Sequence, residues 1–185
     1  MWFALGKEGV SSKMYLVGED LMTELERALT ADSAFAPPPH ILEGVPEELA
    51  HRRQTGAPHS IYEELWHVAF WLRVSLDWAN GIETPVPVHA SEGFPTAAQI
   101  VAESWSELRE RFLRDLEQAA VLTRDPVRLK QPIRCPSLPG VATRVMTVEE
   151  QLESLSAHDA YHLGRIVLLR QMAGAWPPAS GGFTW

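Results

Sequence analysis

The sequence predicts an all-α fold, a four-helix bundle, on three observations. A hydroxyl residue followed three positions later by Glu or Gln recurs at Ser60–Glu63, Thr96–Gln99 and Thr147–Glu150, the reciprocal cap that satisfies unpaired amides in a first helical turn. Apolar residues after each of these points return every three or four positions, the period of a helix with one buried face. The stretches between them are dense in proline, which cannot continue a helix.

The first helix is expected at 13–30, where Leu21, Leu25 and Leu29 fall in step although Gly18 interrupts the segment. The connection "FAPPPHILEGVPEELAHRRQTGAPH" follows, in which Pro46 to Gln54 suits a short helix with proline in its first turn. Ser60 opens the second long helix, 61–79, whose stripe is Ile61, Leu65, Val68 and Leu72 and whose end is Asn80-Gly81. A third is expected at 97–122 from Thr96, with Val101, Trp105, Leu108, Phe112, Leu116 and Ala119 on one face and Glu107, Arg109, Glu110, Arg114 and Glu117 largely elsewhere. Beyond Asp125-Pro126, "TRVM" reads as a strand fragment, but no alternation is long enough for a sheet. The fourth helix, 148–173, starts at Thr147 and stops before Gly174 and Trp176-Pro177-Pro178. With no internal repeat, residues 1–185 are expected to form one domain.

Composition narrows the function. The 185 residues are 45% hydrophobic and 22% charged, an ordinary globular balance, and a chain of this length buries roughly two-thirds of its unfolded surface. Lys and Arg total 16 against 24 Asp and Glu, a net charge of −8, with no basic run. A phosphate backbone is repelled by such a chain, so no nucleic-acid partner is expected. The single Cys135 cannot make an internal disulfide. The start "MWFALGKEGV" does not read as a secretory signal, and no apolar run reaches the ~18 residues that cross a membrane. A soluble, cytoplasmic protein with a small-molecule substrate is the expectation.

The chemistry begins at "SAHDAYHLGR". In the fourth helix the inward stripe reads Leu152, Leu155, His158, His162, Ile166 and Leu169, so two imidazoles four residues apart share one face. At that spacing two ring nitrogens can converge on one ion. The bland reading is a pair of core histidines bonded to carbonyls or hydroxyls, yet two neutral rings bury two donors and two acceptors that all need partners. His67, at the edge of the second helix's stripe, lies at similar depth and supplies a third ligand if the two helices pack together. His40, His51, His59 and His89 fall in proline-rich connections, with His59 a candidate only for the rim.

The chain resembles the DinB/YfiT-like family of metal-binding four-helix bundles, in "PHSIYEELWHVAFW", "HDAYHLGRIVLLRQMAG" and the closing "WPPASGGFTW", over roughly residues 13 to 185. The resemblance implies a divalent metal, zinc or nickel, on three histidines that correspond to His67, His158 and His162. It also implies a low-molecular-weight thiol such as bacillithiol, mycothiol or glutathione as co-substrate, transferred to an electrophile or used in isomerisation, and a homodimer. The physics agrees, because a coordinated thiol is deprotonated and becomes nucleophilic near neutral pH.

Three mechanisms compete at such a centre. In the first, a thiol S-transferase, the open metal position lies in a mouth with His59, Trp66, Trp71 and Tyr161 nearby. The second is a metal-dependent hydrolase with Asp159 or Glu63 as catalytic proton acceptor; "HDAYH" differs from the His-Glu-x-x-His protease pattern by an Asp one methylene shorter. The third is a non-enzymatic stress-related bundle with a structural metal, for which a fourth protein ligand would speak. Di-iron chemistry is disfavoured because Glu-x-x-His pairs on facing helices are missing, Glu64-Leu65-Trp66-His67 supplying only one. Plainer roles are expected for the neighbours: Glu63 caps its helix, Asp159 is a solvated charge, Tyr161 packs, Trp176 and Trp185 fasten the tail, and Cys135 is a bystander.

Overall fold

A computed structural model describes residues 22–31 and 35–182. Among them, the chain forms helices α1 (Glu24–Thr30), α2 (Pro38–Ile41), α3 (Glu47–His51), α4 (Ile61–Ala79), α5 (Ala97–Ala102), α6 (Trp105–Leu122), α7 (Pro126–Leu129) and α8 (Val148–Met172), with strands β1 (Pro132–Cys135) and β2 (Arg144–Thr147). The fold is mostly helical. Helix α4 packs on α6 and α8, and α1 packs on the same two, so Leu29, Leu65, Leu72, Phe112, Leu152 and Ile166 meet in one core. Each fully buried side chain of this kind contributes about 1.5–3 kcal/mol.

The three expected capping boxes all form, at Ser60, Thr96 and Thr147. The second long helix has its expected bounds, and the fourth ends at Met172, one residue short. The first helix starts at Glu24, capped by the Thr23 hydroxyl, so residues 22 and 23 of the expected 13–30 span are not helical. Its remaining expected residues, 13–21, lie outside the described residues, as does Trp185. The short helix after Pro46 is α3, with the proline as its cap rather than in its first turn.

The helix expected at 97–122 is two helices. Glu103 is extended, and a fourth capping box, Ser104 with Glu107, starts α6 anew. The carbonyl that the break frees from the helical ladder accepts a 2.8 Å hydrogen bond from the buried Tyr62 hydroxyl, which removes the cost of leaving it unpaired. Val101, placed on the buried stripe by the sequence, is consequently 87% exposed.

A sheet also exists where none was expected. Strands β1 and β2 pair antiparallel, with Ile133 opposite Met146 and both buried, so "TRVM" is a strand with a partner. At the other end Arg170 is buried, donating to the carbonyls of Ile41 (2.5 Å) and Ala175 (3.0 Å) with its guanidinium 5.3 Å from the Trp176 ring. That clasp holds Trp176 as expected of the tail. No helix among the described residues is long and apolar enough to cross a membrane.

Candidate metal centre

Helices α4 and α8 lie side by side, and this packing brings His67, His158 and His162 together. One nitrogen from each lies within 4.8 Å of the others, with His67 Nε2 3.1 Å from His158 Nε2. The ring centroids are 4.5 to 5.1 Å apart. His162 is buried, while His67 and His158 are half-buried.

The outer nitrogens show which lone pairs face inward. His67 Nδ1 is 2.7 Å from the carbonyl oxygen of Gly93, which only accepts, so Nδ1 carries the proton and Nε2 is bare. His162 Nδ1 is 2.7 Å from Glu64 Oε2 and donates in the same way. Such a carbonyl or carboxylate behind a ring is the usual support of a metal-ligating histidine, fixing its tautomer. His158 Nδ1 has no hydrogen bond and stands 3.5 Å from Asp159 Oδ1.

Glu64 plays a part that no local motif announces. It is fully buried, and besides His162 it receives Arg165 Nη2 at 2.7 Å and His59 Nδ1 at 3.2 Å. Burial pushes its carboxyl up, but the His162 hydrogen bond and the Arg165 charge more than offset this, leaving it below the ordinary range and ionised. Burial lowers His67 to about 4, only partly opposed by the Gly93 carbonyl, so this ring stays neutral and ready to ligate.

The expectations for Asp159 and for the burial of His158 need correction. Asp159 is not a solvated charge: it is 2% exposed, neither carboxylate oxygen has a hydrogen-bond partner, and burial raises it to about 6. It lies on the core line between Leu155 and Ile166, whereas the His158 side chain, placed there by the sequence, is 32% exposed. Glu63 caps α4 through Ser60, as expected of it, and also pairs with Arg53 at 2.5 Å.

The expected mouth residues divide. Tyr161 stands edge-on to His162, centroids 4.9 Å apart, and its hydroxyl meets Arg165. Trp71 borders Gly93, while Trp66 is buried against Phe70. His59 stacks on Phe94 at 3.8 Å, and Phe94 stacks on His67 at 4.3 Å. Gly93 and Phe94 come from a short 3-10 turn, Ala90–Gly93, and its exit. A Cβ on Gly93 would lie 3.3 Å from His67 Nδ1, so the close approach that supports this ligand favours glycine there. Cys135 is buried in β1, which raises its thiol pKa and keeps it inert.

These residues fit a divalent ion. At zinc–nitrogen bonds of about 2.05 Å, tetrahedral ligands sit ~3.3 Å apart, close to the 3.1 Å between His67 and His158 nitrogens. An all-imidazole donor set suits zinc, nickel, copper or iron. Among the described residues the cluster has three members, His67, His158 and His162.

A family model described as the DinB superfamily matches residues 39–166, more than two-thirds of the chain and all three histidines. No curated protein matches it.

Proposed function

Because the chain belongs to the DinB superfamily and its three imidazoles converge, we propose that it is a metal-dependent thiol S-transferase on a single four-helix-bundle domain. The observation that carries the reading is the pair of supported ligands, His67 on Gly93 and His162 on Glu64, turning bare nitrogens toward His158. His67, His158 and His162 would hold a zinc or nickel ion, which would supply Lewis-acid activation of a low-molecular-weight thiol.

The chain's own residues do the rest. Gly93 and Glu64 hold two ligands in the correct tautomer. Phe94 and Tyr161 pack against the His67 and His162 rings, limiting water at the centre. The thiol-transfer assignment follows the resemblance of the chain to DinB/YfiT-like proteins. Cobalt-substituted protein given glutathione, bacillithiol or mycothiol is expected to develop a sulfur-to-cobalt charge-transfer band; no spectral change with any of them overturns the reading.

One observation favours a second reading, a metal-dependent hydrolase. Asp159 is a buried carboxylate without a hydrogen bond, 3.5 Å from His158 Nδ1 and raised to about 6 by burial. A base near neutrality suits removal of a proton from water, which Asp159 would hold on an Oδ atom. Turnover of a generic ester, abolished by chelation and by Asp159→Asn, supports this alternative; turnover insensitive to both rejects it.

A further inference from the structure

We propose that Asp159 is the positioning residue of His158, the acceptor for its outer ring nitrogen when the inner one ligates. The proposal rests on the metal site of the reading above and holds whichever chemistry the ion performs. His158 Nε2 faces His67 Nε2 at 3.1 Å, so Nε2 is the nitrogen turned to the cluster. A neutral imidazole that ligates through Nε2 carries its proton on Nδ1, and that proton needs an acceptor.

The acceptor must come from the protein. Although the His158 side chain is 32% exposed, its Nδ1 atom is shut off from solvent and has no hydrogen bond. Asp159 Oδ1 lies 3.5 Å from it, and both oxygens of that carboxyl are likewise buried without a hydrogen bond. A carboxyl left bare in a core is costly, and this one stands on the buried line of α8 between Leu155 and Ile166, where an apolar side chain would pack without that cost. Two orphaned polar atoms that face each other, one of them on a cluster ligand, account for one another: donor and acceptor meet once Nε2 is committed to an ion.

The other two ligands show the same arrangement already closed. His67 Nδ1 has the Gly93 carbonyl oxygen at 2.7 Å, and His162 Nδ1 has Glu64 Oε2 at 2.7 Å. Asp159 supplies the third ring with the support that the first two possess.

The test uses Asp159→Leu, which keeps nearly the same branched shape and removes the acceptor. Zinc affinity, from competition with a chromophoric chelator, is expected to fall about 10–100-fold, while the melting temperature of the metal-free variant holds or rises because a bare carboxyl has left the core. A side chain that merely packs would move both in the same direction. Affinity within about threefold of the parent, or a metal-free melting temperature that falls, overturns the proposal and leaves the three-histidine site intact. A parent that takes up no zinc overturns both. Independently of the variant, nitrogen-15 spectra of zinc-loaded parent are expected to show His158 protonated on Nδ1, with a proton slow to exchange with water. Protonation on Nε2, or exchange as fast as that of an exposed histidine, overturns the proposal.

Discussion

Replacing Glu64 by Gln keeps the shape of the side chain and removes its charge, with a cost set by the three donors around it. The carboxylate receives His162 and Arg165, each at 2.7 Å, and His59 at 3.2 Å. An amide has one oxygen and one NH2. If the oxygen faces His162, the NH2 points at Arg165 and His59, which both need an acceptor. If the NH2 faces His162, Nδ1 must accept, the proton moves to Nε2, and the lone pair due to the metal is gone. Loss of such a support typically weakens metal binding 10–100-fold, or about 1.4–2.7 kcal/mol. Competition against a chromophoric chelator, on protein shown to be folded by circular dichroism, measures this directly. Affinity within about threefold of the parent would refute the assignment of Glu64 as the support of His162.

The same geometry sets other outcomes. Protein purified without added metal or affinity tag is expected to carry near one equivalent of divalent metal by elemental analysis, and His158→Ala or His162→Ala to lose most of it. Gly93→Ala places a methyl 3.3 Å from His67 Nδ1 and is expected to weaken metal binding several-fold while shifting the melting temperature little; unchanged affinity would show that the ring moves freely. Burial lifts Tyr62 to about 12 against an ordinary value near 10. Between those values the folded protein binds the extra proton, so the contribution of Tyr62 to stability is constant below pH 10 and is lost, to about 3 kcal/mol, as pH rises through 12. A late-titrating tyrosine absorbance, absent in Tyr62→Phe, checks this.

Local signals were legible in the residues themselves. The capping boxes at Ser60, Thr96 and Thr147 are local, and each marks a real helix start. The break at Glu103 carried a local signal, the Ser104–Glu107 capping box, but it was masked because Val101 and Trp105 continue the four-residue spacing across it, and the bond that stabilises the break comes from Tyr62, 41 positions away. The four-residue strands are too short to show alternation, and their pairing depends on a connection closing.

At the site, the imidazole pair was visible because i and i+4 share a helical face. The line of burial was misplaced by one residue, from Asp159 to His158, since neighbours differ by only 100° around the axis and packing decides between them. Glu64 was visible as the first residue of the Glu-x-x-His pair but not as a support for His162, which lies 98 positions away. Gly93 and Phe94 carry no motif; their roles arise where a proline-rich connection crosses His67.

The contact between His67 and His158 joins residues 91 positions apart. A divalent ion there is a detachable cross-link that closes half the polypeptide into a ring, and it can form only after both long helices have found each other. Metal supply would then act on this protein as a thermostat does on a room: at a free concentration one hundred times the dissociation constant the native state would gain about 2.7 kcal/mol, and as the ion is withdrawn the same chain would loosen without any change in its sequence.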